Sequence, residues 1–332
     1  MFSSIFVCPF CHGSLLETPL ETVIGIKCLR CQMVFEVKQG CVDFSGFDNK
    51  GEEKNYYNSI YSLALANNLS YQNFWNKCKQ LWFDKNFPSG KDILCNLNDI
   101  HNKMILCLGN GLSLKELHFA HMGASLCISD ISINAILNMK ISNSDYLKEK
   151  NVEFHAIDAF HLPFPDSSLD IIYGFAFVHH LSDKTQFLSE VYRVLKYGGK
   201  CLFFDDAFSP VWNISKKSIL RPLMKYVHKR RGISPEDLRA TMEGGFKEKE
   251  IIEWGKSVGF NGNPIFIRRM LLSYLFQRLI EKIFPTFLNS PSVDSITHRL
   301  VKTDDILSKI SNIYQKNLIR VLWGYSKSPP LV

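Results

Sequence analysis

Lys103-Met-Ile-Leu-Cys-Leu-Gly-Asn-Gly-Leu-Ser-Leu-Lys115 is the stretch that decides how the chain is read. A short apolar run ends in Gly109-Asn110-Gly111, and a helix-compatible segment follows. Glycines at such a strand-to-helix turn let backbone approach a nucleotide-like ligand where a β-carbon would collide. The dinucleotide fingerprint would need its third Gly at position 114, where Leu114 stands, so a dehydrogenase is disfavoured. A second apolar run, Ser125-Leu-Cys-Ile-Ser129, leads to Asp130, nineteen positions beyond Gly111. An acidic side chain there can accept both hydrogen bonds of a ribose diol, and a solvated turn Asp is the plain alternative.

Outward from this stretch, strand and helix patterns alternate, which predicts an α/β fold: a Rossmann-like, doubly wound, mostly parallel sheet with helices on both faces. Strands are expected over 104–108, 125–129, 152–157, 169–174 and 200–205. A helix is expected from Asp183, with Gln186 completing a capping box, Phe187, Leu188, Val191, Val194 and Leu195 on its apolar face, and Gly198-Gly199 at its end. A further helix is expected over 247–258, stopped by Gly259. Ligands of such sheets sit beyond the C-terminal strand ends, where Gly109, Asp130, Asp158 and the His179 region would converge.

Asp158 closes the run Val152-Glu-Phe-His-Ala-Ile157, and His161-Leu-Pro-Phe-Pro-Asp-Ser-Ser-Leu-Asp170 follows it. Val178-His-His-Leu181, Glu190-Val-Tyr-Arg-Val-Leu-Lys-Tyr-Gly-Gly199 and Lys200-Cys-Leu-Phe-Phe204 come next. In this order, over about a hundred residues from Lys103 to Asp206, the sequence resembles the class I S-adenosylmethionine-dependent methyltransferases. The resemblance implies Gly109, Asn110 and Gly111 at the methionine end of the cofactor. It also implies Asp130 with Ile131 at the ribose, and Asp158 with Ala159 and Phe160 near the adenine. It further implies that 263–267 and 318–327 are the last two strands, antiparallel to one another, with 268–315 a helical excursion between them. Two positions depart from the family pattern: Cys107 stands where an acidic residue is usual near the methionine amino group, and Ser113 stands where a third Gly is usual. The first removes an anchor for a positive group, whereas Ser113 can cap the helix that starts there.

Methyl transfer from a sulfonium is an in-line displacement, so the protein's task is to align the acceptor and exclude water. An oxygen acceptor benefits from a general base, and His179 or His180, just after the fourth strand, lies on the correct side of the sheet. Asp205, near the end of the fifth strand, is a further candidate that would either orient an acceptor hydroxyl or face solvent.

The N-terminus carries Cys8-Pro-Phe-Cys11 and Cys28-Leu-Arg-Cys31, two Cys-x-x-Cys pairs with sixteen residues between them. This is the spacing at which two knuckles supply four thiolates to one structural zinc. Gly13 suits a turn after the first pair, and Phe35-Glu-Val37 suits a strand after the second. The segment resembles the zinc-ribbon modules found before or beside methyltransferase domains. Cys41 lies outside the pair pattern, and Cys78, Cys95, Cys127 and Cys201 read as packed thiols.

At 332 residues the chain is long for one domain. The expected division is a zinc-ribbon-like module over 1–45, a helical lid over 46–102 and a methyltransferase core over 103–267. A helical insertion over 268–317 and a final strand and tail over 318–332 complete it. Tyr56, Tyr57, Ile60, Tyr61, Phe74, Trp75 and Trp82 mark the lid as apolar and aromatic. With 46% hydrophobic residues the chain can bury a sizeable core. A cytoplasmic location, peripheral at a membrane, is expected, because no signal-peptide pattern opens the chain and no apolar run is long enough to span.

Charge is unevenly spread. From Ala207 to Val332 there are 21 Lys plus Arg against 10 Asp plus Glu, a net +11, so the preceding residues carry −4 of the total +7. Residues 216–231 hold seven basic and no acidic side chains, and Arg268-Arg-Met-Leu-Leu-Ser-Tyr-Leu-Phe follows, which makes an anionic membrane surface a candidate partner. The first reading is a small-molecule, glycan or lipid-linked acceptor. The second, an RNA methyltransferase, has against it a ribbon segment with three basic and four acidic residues. A scaffold that lost cofactor binding through Cys107 is the third, non-enzymatic reading. Oligomeric state is not legible.

Overall fold

The computed structural model describes residues 4–19, 24–45, 54–55, 57–59, 93, 96–97, 99–112, 116–142, 151–206, 245–269, 272, 276, 291–311, 318 and 320–329. Ser113, most of the aromatic lid, the basic run 216–231 and most of 270–290 lie outside the described residues. So do Cys78 and Cys95.

The N-terminal strands β1 (Leu15–Pro19), β2 (Ile24–Cys28), β3 (Val34–Lys38) and β4 (Cys41–Val42) form a small antiparallel sheet in sequential order. Lys38 pairs with Cys41 across the two-residue turn Gln39-Gly40. Both turn residues have positive φ, 51° and 73°. This is the turn whose twist matches a tight hairpin.

The large sheet is built from β5 (Met104–Leu108), β6 (Ser125–Asp130), β7 (Val152–Ala156), β8 (Leu169–Phe175), β9 (Leu195–Asp206), β10 (Ile265–Arg269) and β11 (Arg320–Ser326). Its order is β10-β11-β9-β8-β5-β6-β7. The five strands from β9 to β7 are parallel to their neighbours, whereas β11 runs antiparallel to both β9 and β10. The chain builds outward from β5 through β6 to β7, then returns to β8 on the other side. A crevice therefore opens at the C-terminal ends of β5 and β8. Helices α1 (Leu117–His121), α2 (Ile133–Ser142), α3 (Lys184–Val194), α4 (Glu248–Val258) and α5 (Pro291–Ile310), with a single 3-10 turn over Val178–His180, complete the described elements. Among the described residues no helix is long and apolar enough to cross a membrane.

The apolar face expected on α3 is buried, with Phe187, Leu188, Val191 and Val194 all in the core. Asp183 caps it by accepting the N–H groups of Thr185 and Gln186, both at 2.9 Å. The helix ends at Val194, four residues before the Gly198-Gly199 stop read from the sequence, because Leu195 already pairs with Leu169 as the first residue of β9. The two glycines fall instead in the register shift between Leu195 and Lys200. Gly198 has φ 79°, and a β-carbon on Gly199 would lie 2.8 Å from the Lys196 carbonyl oxygen. β10 starts two residues later than expected, at Ile265, while α4 stops at Gly259, whose φ of 104° is the left-handed C-cap.

The C-terminal end of α3 leaves carbonyls that need partners. Lys327 supplies them: its Nζ donates to the Tyr192 and Leu195 carbonyls at 2.8 and 2.7 Å and reaches Ser167 Oγ at 3.3 Å. It lies over the Tyr192 and Tyr197 rings at 4.6 and 4.8 Å. Lys327→Met keeps the stem and removes the donor, leaving acceptors unmet in a buried setting. Chemical denaturation is expected to register a loss of about 2 to 3 kcal/mol.

The ribbon closes the edge of the large sheet. Asp43 bridges Ala156 in parallel, the Phe44 N–H donates to the Ala156 carbonyl at 2.8 Å, and the Val42 N–H donates to His155 Nδ1 at 3.1 Å. Phe6 packs edge-on against Phe44 and His155 and tilts against Phe164. Free N–H and C=O groups at a sheet edge invite pairing with other chains, and here the module takes that place.

Candidate active site and metal centre

At the crevice, Gly109 and Gly111 have φ of 63° and 54°. Gly109 could not be another residue: a β-carbon there would sit 2.4 Å from Cβ and 2.5 Å from Cγ of Phe177. The Gly111 N–H donates to Asp130 Oδ2 at 2.8 Å and the Ser132 N–H donates to Oδ1 at 3.0 Å. Asp130 is buried, and burial raises its pKa against the opposing pull of the Ser132, Gly111 and Ile131 N–H groups. Each oxygen keeps a further lone pair, so the carboxylate can still accept two hydroxyls. Asp158 is anchored in the same manner, with the Phe160 N–H on Oδ1 at 2.9 Å and His161 Nδ1 at 3.2 Å from Oδ2.

Beyond these strand ends lies a cavity enclosing about 690 Å³ of atom-free space, its open mouth included. This is within the usual size of small-molecule sites. The cavity is lined by Gly109, Asp130, Ile131, Asp158, Ala159 and Phe160 together with Tyr57, Ala176, Phe177, His180 and Leu181. Of the sequence-predicted residues, Asn110 and Gly111 stand behind the wall. Asn110 is buried with its N–H on the Ser129 carbonyl, and Gly111 serves through Asp130. His179 and Asp205 are also set back. Asp205 is fully buried rather than facing solvent, accepting from the Val178 N–H at 3.1 Å and lying 2.5 Å from His179 Nδ1. Because a carboxylate oxygen accepts, Nδ1 is the nitrogen that carries a proton toward Asp205. The His179 ring in turn lies 3.9 Å, centroid to centroid, from that of His180, which reaches the cavity.

Phe177 escaped the sequence reading. Its ring is threaded between two glycines, since a β-carbon on Gly174 would lie 2.2 Å from its Cε1. Ala176, with φ 54°, turns the chain into that position. The signal available was the pairing of Gly174 and Gly109 at the ends of neighbouring strands, which register as Leu108 beside Gly174. Cys107 is buried in a core cluster with Ile105, Phe119 and Tyr173, not in the cavity wall. Glu116, also buried, lies near enough to Tyr173 to add to the effect of burial in raising that phenol's pKa.

The four N-terminal cysteines converge, their Sγ atoms all within 4.8 Å of one another. Cys8 and Cys31 are 3.6 Å apart and Cys11 and Cys28 are 3.4 Å apart. A tetrahedral zinc with Zn–S of about 2.3 Å would set these separations near about 3.8 Å, so the arrangement fits the ion. The two knuckles repeat each other. The His12 N–H donates to the Cys8 carbonyl, and the Gln32 N–H donates to that of Cys28. Both donors have positive φ, 55° and 64°. Around Cys28, burial is outweighed by the Cys31 and Arg30 N–H groups aimed at its sulfur, which bring its pKa down to about 6. Gly13 leaves the space the sulfurs need, as a β-carbon there would lie 3.0 Å from Cys28 Sγ. Burial is the leading upward influence on the pKa values of Cys41, Cys127 and Cys201, as packed thiols require.

Residues 106–203 match the family model described as a methyltransferase domain. A ubiquinone/menaquinone biosynthesis C-methyltransferase of Rickettsia bellii is 36% identical over 211 residues, covering 62% of this chain and 73% of that protein. The chain belongs to the class I S-adenosylmethionine-dependent methyltransferases. This methyltransferase is also 24% identical over 217 residues to an uncharacterized chloroplastic methyltransferase of Arabidopsis thaliana, covering 59% of this chain and 60% of that one. Phosphoethanolamine N-methyltransferase 2 of Haemonchus contortus, solved with S-adenosyl-L-methionine, shares 19% identity at a TM-score of 0.48, over 77% of this methyltransferase and 53% of that chain. The match thus spans less than two thirds of the plant and nematode proteins.

Proposed function

We propose that the chain transfers a methyl group from S-adenosylmethionine to a small-molecule acceptor, free or carried on a glycan or lipid, and that its four N-terminal cysteines hold one structural zinc. The observation that carries the first part is one cavity whose lining brings together two buried carboxylates, Asp130 and Asp158, and His180 among aromatic and apolar side chains. The bound cofactor would supply an electrophilic methyl group. Asp130 would accept the ribose hydroxyls on its remaining lone pairs, and Asp158 would accept from the adenine amino group. His180 would take the proton of an oxygen acceptor, while Asp205 holds its neighbour His179. Phe177, Leu181 and Tyr57 would exclude water around the acceptor. The role named for the Rickettsia relative, in quinone biosynthesis, supports a small-molecule acceptor.

Calorimetry with S-adenosylmethionine tests the cofactor reading: absence of heat and of thermal stabilisation at millimolar cofactor would overturn it. Asp130→Ala is expected to weaken binding roughly tenfold or more, since a lost charge-assisted hydrogen bond costs about 1.5 to 3 kcal/mol. For the acceptor, cofactor carrying a labelled methyl group is incubated with host extract separated into low-mass, glycolipid and RNA fractions. Label in the RNA alone would reverse the choice of acceptor.

A further inference from the structure

The four-cysteine module connects to the cavity wall through His161. Phe10 stands inside the first knuckle, between Cys8 and Cys11. Its ring lies 5.1 Å from that of His161, tilted by 39°. The same His161 places Nδ1 3.2 Å from Asp158 Oδ2. Nearby, the Val7 N–H donates to the Pro163 carbonyl at 3.1 Å, and the Phe6 and Phe164 rings are 5.3 Å apart. From the opposite side, Glu190 accepts the Leu162 N–H, and Arg193 donates to the Leu162 and Phe164 carbonyls. The segment carrying Asp158 is therefore gripped by α3 on one side and by the knuckle on the other.

We propose that Phe10 and His161 are positioning residues for the Asp158 carboxylate, so that filling the four-cysteine site sets the affinity for the nucleoside end of the cofactor. The inference rests on the methyl-transfer reading for what Asp158 binds, but not for how Asp158 is held. The His161 ring is only partly buried, so its rotamer needs a wall. Phe10 provides that wall, and the backbone on both sides of Phe10 is fixed by residues aimed at the metal position. A closed knuckle keeps Phe10 against His161, His161 then donates to Oδ2, and the carboxylate stays turned toward the cavity. Loosening the knuckle releases Phe10 first, and the hydrogen bond follows. Outer-shell partners that orient metal ligands are worth about tenfold or more in affinity, and a similar scale is expected for a partner that orients Asp158.

The test is S-adenosylhomocysteine affinity by calorimetry, with zinc content measured on every sample. His161→Ala and Phe10→Ala are each expected to raise Kd about tenfold. His161→Asn, which restores a donor at the Nδ1 position, and Phe10→Tyr should stay close to the wild type. Chelating the metal from the wild type should weaken binding at least as much as Phe10→Ala does. Unchanged Kd in His161→Ala and Phe10→Ala at full zinc content would overturn the proposal while leaving methyl transfer intact. If the wild type binds no S-adenosylhomocysteine, the methyl-transfer reading falls. Amide exchange at Phe160, whose N–H donates to Asp158, then decides: faster exchange in both Ala variants supports the coupling, and unchanged exchange refutes it. Should Phe10→Ala fail to fold, the His161 pair carries the test alone.

Discussion

Gly109→Ala is expected to lower the thermal midpoint by about 5 to 15 °C and to abolish measurable cofactor binding. Two costs combine. At φ 63° a β-carbon meets its own backbone, a strain of roughly 1–2 kcal/mol. The same carbon would lie 2.4 Å from Phe177 Cβ and 2.9 Å from its Cδ2. Forcing a methyl group into a filled space costs about 1–3 kcal/mol. Phe177 cannot withdraw, because its ring is held over Gly174 and packs edge-on against Phe187 and Phe203. Relief must come from the loop itself, and that displaces Gly111, whose N–H holds Asp130. Scanning calorimetry and S-adenosylhomocysteine titration check the two effects separately. Adding Phe177→Ala removes the ring but leaves its Cβ, so only part of the lost stability should return. A variant with wild-type stability and affinity would show that the turn relaxes without consequence.

Cys28→Ser is expected to release the metal and open the N-terminal module. Cys28 is fully buried, and its sulfur receives the Arg30 and Cys31 N–H groups at 3.4 and 3.5 Å. A hydroxyl there is a poor zinc ligand and leaves three thiolates facing one another. Closed four-thiolate sites contribute on the order of 10 kcal/mol of binding free energy, and in small modules most of that is folding free energy. The expected readings are zinc well below one per chain, rapid amide exchange across residues 4–45 and proteolytic cleavage within them. Loss of the module also uncovers β7, so the variant should aggregate at concentrations the wild type tolerates. Full zinc content in Cys28→Ser would contradict the assignment of this cysteine as a ligand.

Much of the sheet was legible because its first parallel strands are short, largely apolar runs with Gly or Asp at or just beyond the ligand-facing end. β5 ends before Gly109, β6 ends on Asp130 and β7 runs toward Asp158. Those residues meet at one crevice, as the alternation of elements implied. The end of α3 was not legible, because Leu195 satisfies both a helical face and a strand pairing, and only the presence of β8 beside it decides. Asp205 and His179 were each read as candidates, yet their contact depends on β9 lying next to β8, which local sequence does not encode. The docking of the ribbon was hidden for the same reason. Phe6, Phe10 and Phe44 look like interior residues of a small module, and three of their partners, His155, His161 and Phe164, are more than a hundred positions away. At Cys107 the family resemblance implied a missing anchor for the cofactor, but the side chain belongs to the core. An acidic replacement there would enter an apolar cluster rather than the cavity.

The position of β11 between β9 and β10 has a consequence for the order in which the molecule is made. The ribbon and the five parallel strands are complete once residue 206 has been synthesised, whereas β9 keeps a bare flank until residues 320–326 arrive. Throughout that interval Phe203 lacks the Trp323 ring that lies 4.8 Å from it in the finished sheet. β10, although translated earlier, finds its partner among the described strands, β11, only at the same moment. The nascent chain thus carries a half-built sheet with an adhesive side for more than a hundred residues of elongation, the period in which contact with a chaperone would matter most.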